Sequence, residues 1–351
     1  MGTNGWVSAL HVDPSHCPGT IDQIPSYLVA YPRLAGIRGA EPSLARWPYR
    51  LAMALHDYLA GEVGEDWADG LIGRREALRR LALLGLSVGS ATAMLEACAP
   101  AGQSPGPSAV PASASTPPSA PASPSAAAVG EAITFPGPAV ELKGFFSAAE
   151  APKGAMLVIH ENRGLNDHIR SVASRLAGDG YSALAIDLLS EEGGSEALPQ
   201  GEVQAALSGA SMERLVHDMK AGLDELERRA PGAKLGAIGF CFGGGMVWAL
   251  LDAGDPRLAA AIPFYGPAPA DPDFAGNTAA VLGVYAELDS RVNGSLARAE
   301  AALTAAWLEH EIKVYPGVDH AFFNDTGGRY NAEQAAAAYA DVLAWLGRFL
   351  R

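Results

Sequence analysis

Cysteine is nearly missing from this chain. Its 351 residues include three, Cys17, Cys98 and Cys241, too few and too scattered for a disulfide framework or a zinc site. Positive charge is short as well. Lys and Arg number 25 against 39 Asp and Glu, a formal net of −14, which argues against a nucleic-acid-binding surface, since that would need a basic stripe. No repeat of roughly 20–50 residues is visible. Apolar residues are plentiful at 49%, enough at this length to bury a sizeable core and to allow more than one domain.

Residues 99–130 lack charge and aromatic side chains altogether, being Ala, Pro, Ser and Gly with little else. Such a run cannot bury enough surface to offset its ordering entropy, and it is predicted to be a disordered linker. Before it, residues 73–98 read as a signal-like segment. Arg74, Arg75, Arg79 and Arg80 precede the apolar run Leu81–Leu95, and small residues lead to Cys98. Basic, apolar and small, in that order, is the layout of an export signal, and the apolar part is short for a spanning helix. The arginine pair followed by Leu78 resembles a twin-arginine signal. "LEAC", Leu95 to Cys98, resembles a lipobox whose cysteine is lipidated after cleavage. The expectation is an exported, extracytoplasmic lipoprotein that meets a membrane only through this signal or lipid anchor, with a cytoplasmic location as the alternative. Residues 1–72 show no sustained period and are predicted to be poorly structured. Translation is predicted to begin at Met53, which heads a short helical leader, leaving 1–52 as an overrun and Cys17 without a role.

From residue 131 to 351 the pattern changes to strand and helix in alternation. "ITFPGPAVELKGFF" suggests a strand pair turning at "PGP". Short apolar runs at Ala155–His160, Ser182–Leu188, Leu235–Gly239, Leu258–Phe264, Ala280–Tyr285 and Ile312–Tyr315 suit buried parallel strands. Helices are predicted from an N-cap at Asp167, over Met212–Arg229, Gly244–Leu251 and Ser295–His310, and over Ala332–Leu350. The fold class is therefore α/β, a mostly parallel sheet with helices on both faces.

One stretch carries chemistry. Gly239-Phe240-Cys241-Phe242-Gly243 lies between a predicted strand and a predicted helix, the layout of a nucleophile elbow with cysteine in the serine's place. The helix N-terminus favours a thiolate at Cys241, and the Phe242 N–H would face a developing oxyanion. A buried, inert thiol beside a glycine-rich turn is the plainer reading of that motif alone. Two later residues extend it. Asp289 follows the strand at Ala280–Tyr285 and His320 follows the last strand, giving the nucleophile–acid–histidine order of α/β-hydrolases. Glu287 or Asp319 could serve as the acid instead. "HE" at His160–Glu161 is not a zincin motif, because position 164 is glycine, and no metal site is expected.

With these residues in view the sequence resembles the dienelactone hydrolase family, through "GFCFGG" at Gly239–Gly244, "ELDSRV" around Asp289, "HAFFNDTGGRYN" from His320 and "IHENRGLNDHIR" from His160. The resemblance implies an α/β-hydrolase fold and a Cys241–His320–Asp289 triad acting on small carboxylic esters or lactones through a thioester, without a cofactor. It further implies that Glu161 exchanges a proton with the cysteine and that the Asn162 N–H completes the oxyanion hole with Phe242. Substrate-binding arginines are sought at Arg163 and Arg329. Arg329 falls nine residues past His320, whereas the position four past it is Asn324, so the substrate carries over less well than the chemistry. A monomer taking a small-molecule substrate is expected. The alternative reading is an exported, non-catalytic lipoprotein that binds a small ligand on the same fold.

Overall fold

The structure, a computed structural model, describes residues 47–68, 70–97 and 128–351. Cys17, the expected lipidation site Cys98 and residues 99–127 of the expected linker lie outside them. Three helices come first: α1 (Trp47–Ala68), α2 (Arg74–Leu83) and α3 (Val88–Ala97). α1 covers part of the helical leader expected after Met53 and begins before it, at Trp47. That segment has no amphipathic period, but it is rich in Ala, Leu and Glu, which favour helix by intrinsic propensity. The signal-like segment forms two helices, because Gly85 at φ 86° ends α2. There the Leu86 N–H reaches the Leu81 carbonyl at 3.0 Å and the Gly85 N–H reaches that of Ala82 at 2.9 Å, a Schellman ending. Among the described residues no helix is long and apolar enough to cross a membrane.

The described residues divide into two compact units. One contains α1 from Ala60 onward with α2 and α3. The other contains α1 up to Leu59 and everything from residue 128.

This second unit is built on β1 (Glu131–Pro136), β2 (Glu141–Ser147), β3 (Gly154–Ile159), α4 (Asp167–Gly178), β4 (Tyr181–Asp187), α5 (Val203–Gly209), α6 (Met212–Arg229) and β5 (Leu235–Phe240). It continues with α7 (Phe242–Asp252), β6 (Leu258–Phe264), β7 (Ala280–Ala286), α8 (Ser290–Asn293), α9 (Leu296–Ala305), β8 (His310–Tyr315) and α10 (Ala332–Phe349). The strands form one sheet in the order β1-β2-β4-β3-β5-β6-β7-β8. From β4 to β8 every pairing is parallel, while β1 and β2 form an antiparallel edge. β3, β4, β5 and β7 are buried along their whole length, as expected of strands covered on both faces.

Local chemistry moved some predicted boundaries. Asn166, not Asp167, caps α4, accepting the Ile169 N–H at 3.2 Å. The predicted helix reaching His310 stops at Ala305, because Trp307 adopts φ 58° and closes a Schellman motif without glycine, Leu308 N–H to the Leu303 carbonyl at 3.1 Å.

Two features of the topology position a site. After β3 the chain crosses to β4 on one side, and after β5 it crosses to β6 on the other. Neighbouring strands whose connections diverge open a crevice at their carboxyl ends, where α/β sheets bind ligands. The start of α7 is then pressed onto that edge. A Cβ on Gly243 would lie 2.3 Å from the Ile159 carbonyl oxygen, and one on Gly244 2.3 Å from that of Phe264. Both obstacles are backbone and cannot rotate away. Gly243→Ala is expected to destabilise the protein by about 1–3 kcal/mol or more, seen as a lower urea midpoint at unchanged slope; an unchanged midpoint would contradict this packing.

Candidate active site

Cys241 stands between β5 and α7 with φ 56° and ψ −118°, a conformation that a non-glycine residue holds only when its surroundings impose it. Here its N–H donates to the Phe264 carbonyl at 3.1 Å, and its own carbonyl accepts the Gly244 N–H at 2.9 Å. Gly239 allows the turn to close, since a Cβ there would lie 2.1 Å from the Gly243 oxygen. The cysteine side chain occupies the N-cap position of α7 without capping it. The first N–H groups of that helix, Phe242 among them, lack intrahelical acceptors and carry its positive end.

His320 and Asp289 meet Cys241 from the loops after β8 and β7. A ring nitrogen of His320 lies within 4.8 Å of Cys241 Sγ. His320 Nδ1 is 2.5 Å from Asp289 Oδ2. A carboxylate can only accept, so Nδ1 carries the proton and Nε2 is left facing the cysteine side. The other Asp289 oxygen accepts the Val292 N–H at 3.1 Å, so the residue also caps α8. The other two candidate acids shape the loop: Asp319 accepts the His320 N–H at 2.7 Å and Glu287 accepts that of Gly317 at 2.7 Å. Burial pushes the Asp289 carboxyl up, but attraction to and a hydrogen bond from His320, the charge of Arg291 and the Val292 N–H outweigh it and hold the pKa below its ordinary value.

Glu161 and Asn162 follow β3, both buried. Asn324 Nδ2 donates to Glu161 Oε2 at 2.6 Å, while Glu161 Oε1 is buried without a hydrogen-bond partner among the described residues. His160 fixes this turn. Its Nδ1 is 2.7 Å from the Glu161 carbonyl and its Nε2 accepts the Leu188 N–H at 3.2 Å. Those partners require a neutral ring protonated at Nδ1, and burial lowers its pKa accordingly. The ring stacks on Phe242 with centroids 5.9 Å apart. The loop after His320 is tied down by Asp325, whose carboxylate meets buried His168 Nδ1 at 2.8 Å.

Cys241, His320 and Asp289 thus come together, and Glu161, Asn162 and Phe242 are buried after β3 and β5. Arg163 is exposed in the turn after β3, and Arg329 is half-buried in the loop between Asn324 and α10. Sequence reasoning did not find the parts played by His160, His168 and Tyr58. The phenol of Tyr58 donates to Cys241 Sγ at 3.1 Å and lies 3.5 Å from His320 Nε2. No local motif marks Tyr58, whereas the "HE" dipeptide did draw attention to His160.

The lowered Asp289 pKa has a consequence for stability. A carboxylate whose folded pKa lies below its unfolded value stabilises the fold above about pH 4, and that contribution is lost as pH falls through the folded pKa. Asp289→Asn is therefore expected to flatten the acid limb of the stability-against-pH curve. Identical curves for the two proteins below pH 5 would contradict the ion pair.

Comparison with known proteins bears on the family and the fold. The sequence profile described as the dienelactone hydrolase family matches residues 143–350. A provisionally named carboxymethylenebutenolidase of Saccharolobus solfataricus is 30% identical over 246 residues, which are 59% of this chain and 94% of that one. Another, from Synechocystis, is 31% identical over 233 residues, 60% and 93% of the two chains. Among solved structures, a provisionally named dienelactone hydrolase from Klebsiella pneumoniae matches with a TM-score of 0.55 at 26% identity, covering 63% of this chain and 99% of its own. With its parallel sheet, its elbow after β5 and this match over the folded region, the chain belongs to the dienelactone hydrolase family of hydrolases.

Proposed function

We propose that the protein hydrolyses small carboxylic esters or lactones, with Cys241 as nucleophile, His320 as base and Asp289 as the group that orients His320. The observation that carries this reading is the strained elbow at Cys241 facing a histidine whose other nitrogen is bound to a buried carboxylate at 2.5 Å. In the first step the thiol proton passes to His320 Nε2 and Sγ attacks the carbonyl carbon. The carbonyl oxygen takes the electron pair and is held by the Phe242 and Asn162 N–H groups. Collapse of the adduct breaks the carbon–oxygen bond of the ester, and His320 returns its proton to the departing alkoxide. Water, deprotonated by His320, then attacks the thioester, and the released acid leaves the thiol restored. Asp289, held ionised, stabilises the imidazolium at each stage. In this reading the thiol exchanges its proton reversibly with Glu161, held by Asn324 through one oxygen and without a partner among the described residues at the other, before His320 takes it up.

Neutral substrates suit this pocket better than anionic ones. Asn324, the fourth residue past His320, offers an amide where a carboxylate-binding arginine would be sought, and it is already committed to Glu161. Export with lipidation at Cys98 is proposed for the chain as a whole, on the order of basic, apolar and small residues in 73–98.

Hydrolysis of p-nitrophenyl acetate is expected to vanish in Cys241→Ala and to fall by about 10²–10⁴ in His320→Ala. Turnover persisting in the cysteine variant would overturn the assignment. Neutral lactones are expected to give a higher kcat/KM than cis-dienelactone, and the reverse order would reject the neutral preference. In the native host, Cys98→Ala is expected to move the protein from the membrane fraction to the soluble one; equal partitioning of both forms would refute anchorage there.

A further inference from the structure

We propose that Tyr58 seals the site of the unprocessed chain, a seal that cleavage before Cys98 would remove, its hydroxyl standing where the leaving-group oxygen of a substrate must stand. The inference rests on Cys241 being the nucleophile. Tyr58 is near the middle of α1 and belongs to the same compact unit as the sheet. Its hydroxyl oxygen is 3.1 Å from Cys241 Sγ and 3.5 Å from His320 Nε2.

Few positions satisfy both distances, and the reaction needs one of them twice. During acyl transfer the departing oxygen must lie beside both the carbon joined to sulfur and the nitrogen that protonates it. The hydrolytic water takes the same place in the second half. A phenol fixed there excludes both. It also donates its proton to the sulfur, engaging the lone pair needed for attack. Burial agrees: Tyr58 is 6% exposed, Cys241 3% and His320 1%, so a substrate carbonyl cannot approach the sulfur while the tyrosine stays in place.

A second contact holds the ring. The guanidinium of Arg291 lies 4.7 Å from the centre of the Tyr58 ring, a cation–π distance. Arg291 is on α8, two residues past Asp289, and its charge helps keep that carboxylate ionised. The clamp on the tyrosine therefore springs from the loop that orients the histidine. Withdrawal of Tyr58 exposes the sulfur and the imidazole together, so the segment that blocks the site is a gate on it.

The test uses the full chain in four forms: wild type, Tyr58→Ala, Tyr58→Phe and Cys241→Ala, with far-UV circular dichroism to verify folding. Two quantities are read, the rate of carboxymethylation of Cys241 by iodoacetamide, from the mass of its peptide, and kcat/KM for p-nitrophenyl acetate. Tyr58→Ala is expected to raise both by about tenfold or more, the reciprocal of an open fraction near one tenth. Tyr58→Phe, which keeps the ring but loses the hydroxyl, is expected to rise less in carboxymethylation. Unchanged or lower values in Tyr58→Ala overturn the proposal, and a loss of turnover in both tyrosine variants would make Tyr58 a participant instead of a gate. Faster carboxymethylation with no hydrolysis by any form would uphold the seal and reject the hydrolase reading. Hydrolysis that depends on Cys241 but is not accelerated by Tyr58→Ala would do the opposite.

Discussion

The left-handed backbone at Cys241 is the constraint on which the rest of the site depends. A non-glycine residue at φ 56° and ψ −118° costs on the order of 1–3 kcal/mol. That cost is offset by contacts that exist only because three neighbours have no side chain. Gly239, Gly243 and Gly244 let the turn, the end of β3 and the end of β6 approach to distances no Cβ would permit. The same turn delivers the sulfur to the positive end of α7 and into the crevice where the connections from β3 and β5 diverge. Strain and chemistry thus reside in one residue.

Around that point, buried polar groups are kept in partnerships that each define a geometry. Asp289 bonds His320 with one oxygen and caps α8 with the other, so the loop that carries the acid cannot shift without loosening the histidine. His160, neutral and bonded at both nitrogens, fixes the turn that carries Glu161 and Asn162. Asn324 and Asp325, adjacent in sequence, tie the loop after His320 to Glu161 and to His168 on α4. In a site this buried an unmade bond is expensive. One oxygen of Glu161 has no hydrogen-bond partner among the described residues.

Much of this was legible in the sequence where the physics is local. The glycines around Cys241 declare a close approach by their absence of side chains, and the order Cys241, Asp289, His320 follows from a sheet whose strands end at one edge. What escaped reading was non-local or lacked its usual marker. Tyr58 and Cys241 are 183 positions apart and Glu161 and Asn324 are 163 apart, and no motif links them. The end of α9 uses Trp307 at a position where glycine is the usual signal. Asn166 and Asp167 are equally good caps by type, and only the extended backbone at Asn166 decides between them. α1 forms without an amphipathic period, and α5 is seven residues long, too short for periodicity to reveal.

The central claim is that acyl groups pass through the sulfur of Cys241. Its most direct test is to mix the protein with a slowly hydrolysed ester, quench in acid within the first turnovers, and map the mass gained. The account predicts one acyl group on the peptide containing Cys241, which appears at the rate of alcohol release and disappears as the free acid forms. Continued hydrolysis with Cys241 unmodified throughout, or an acyl group carried by another residue, would contradict it.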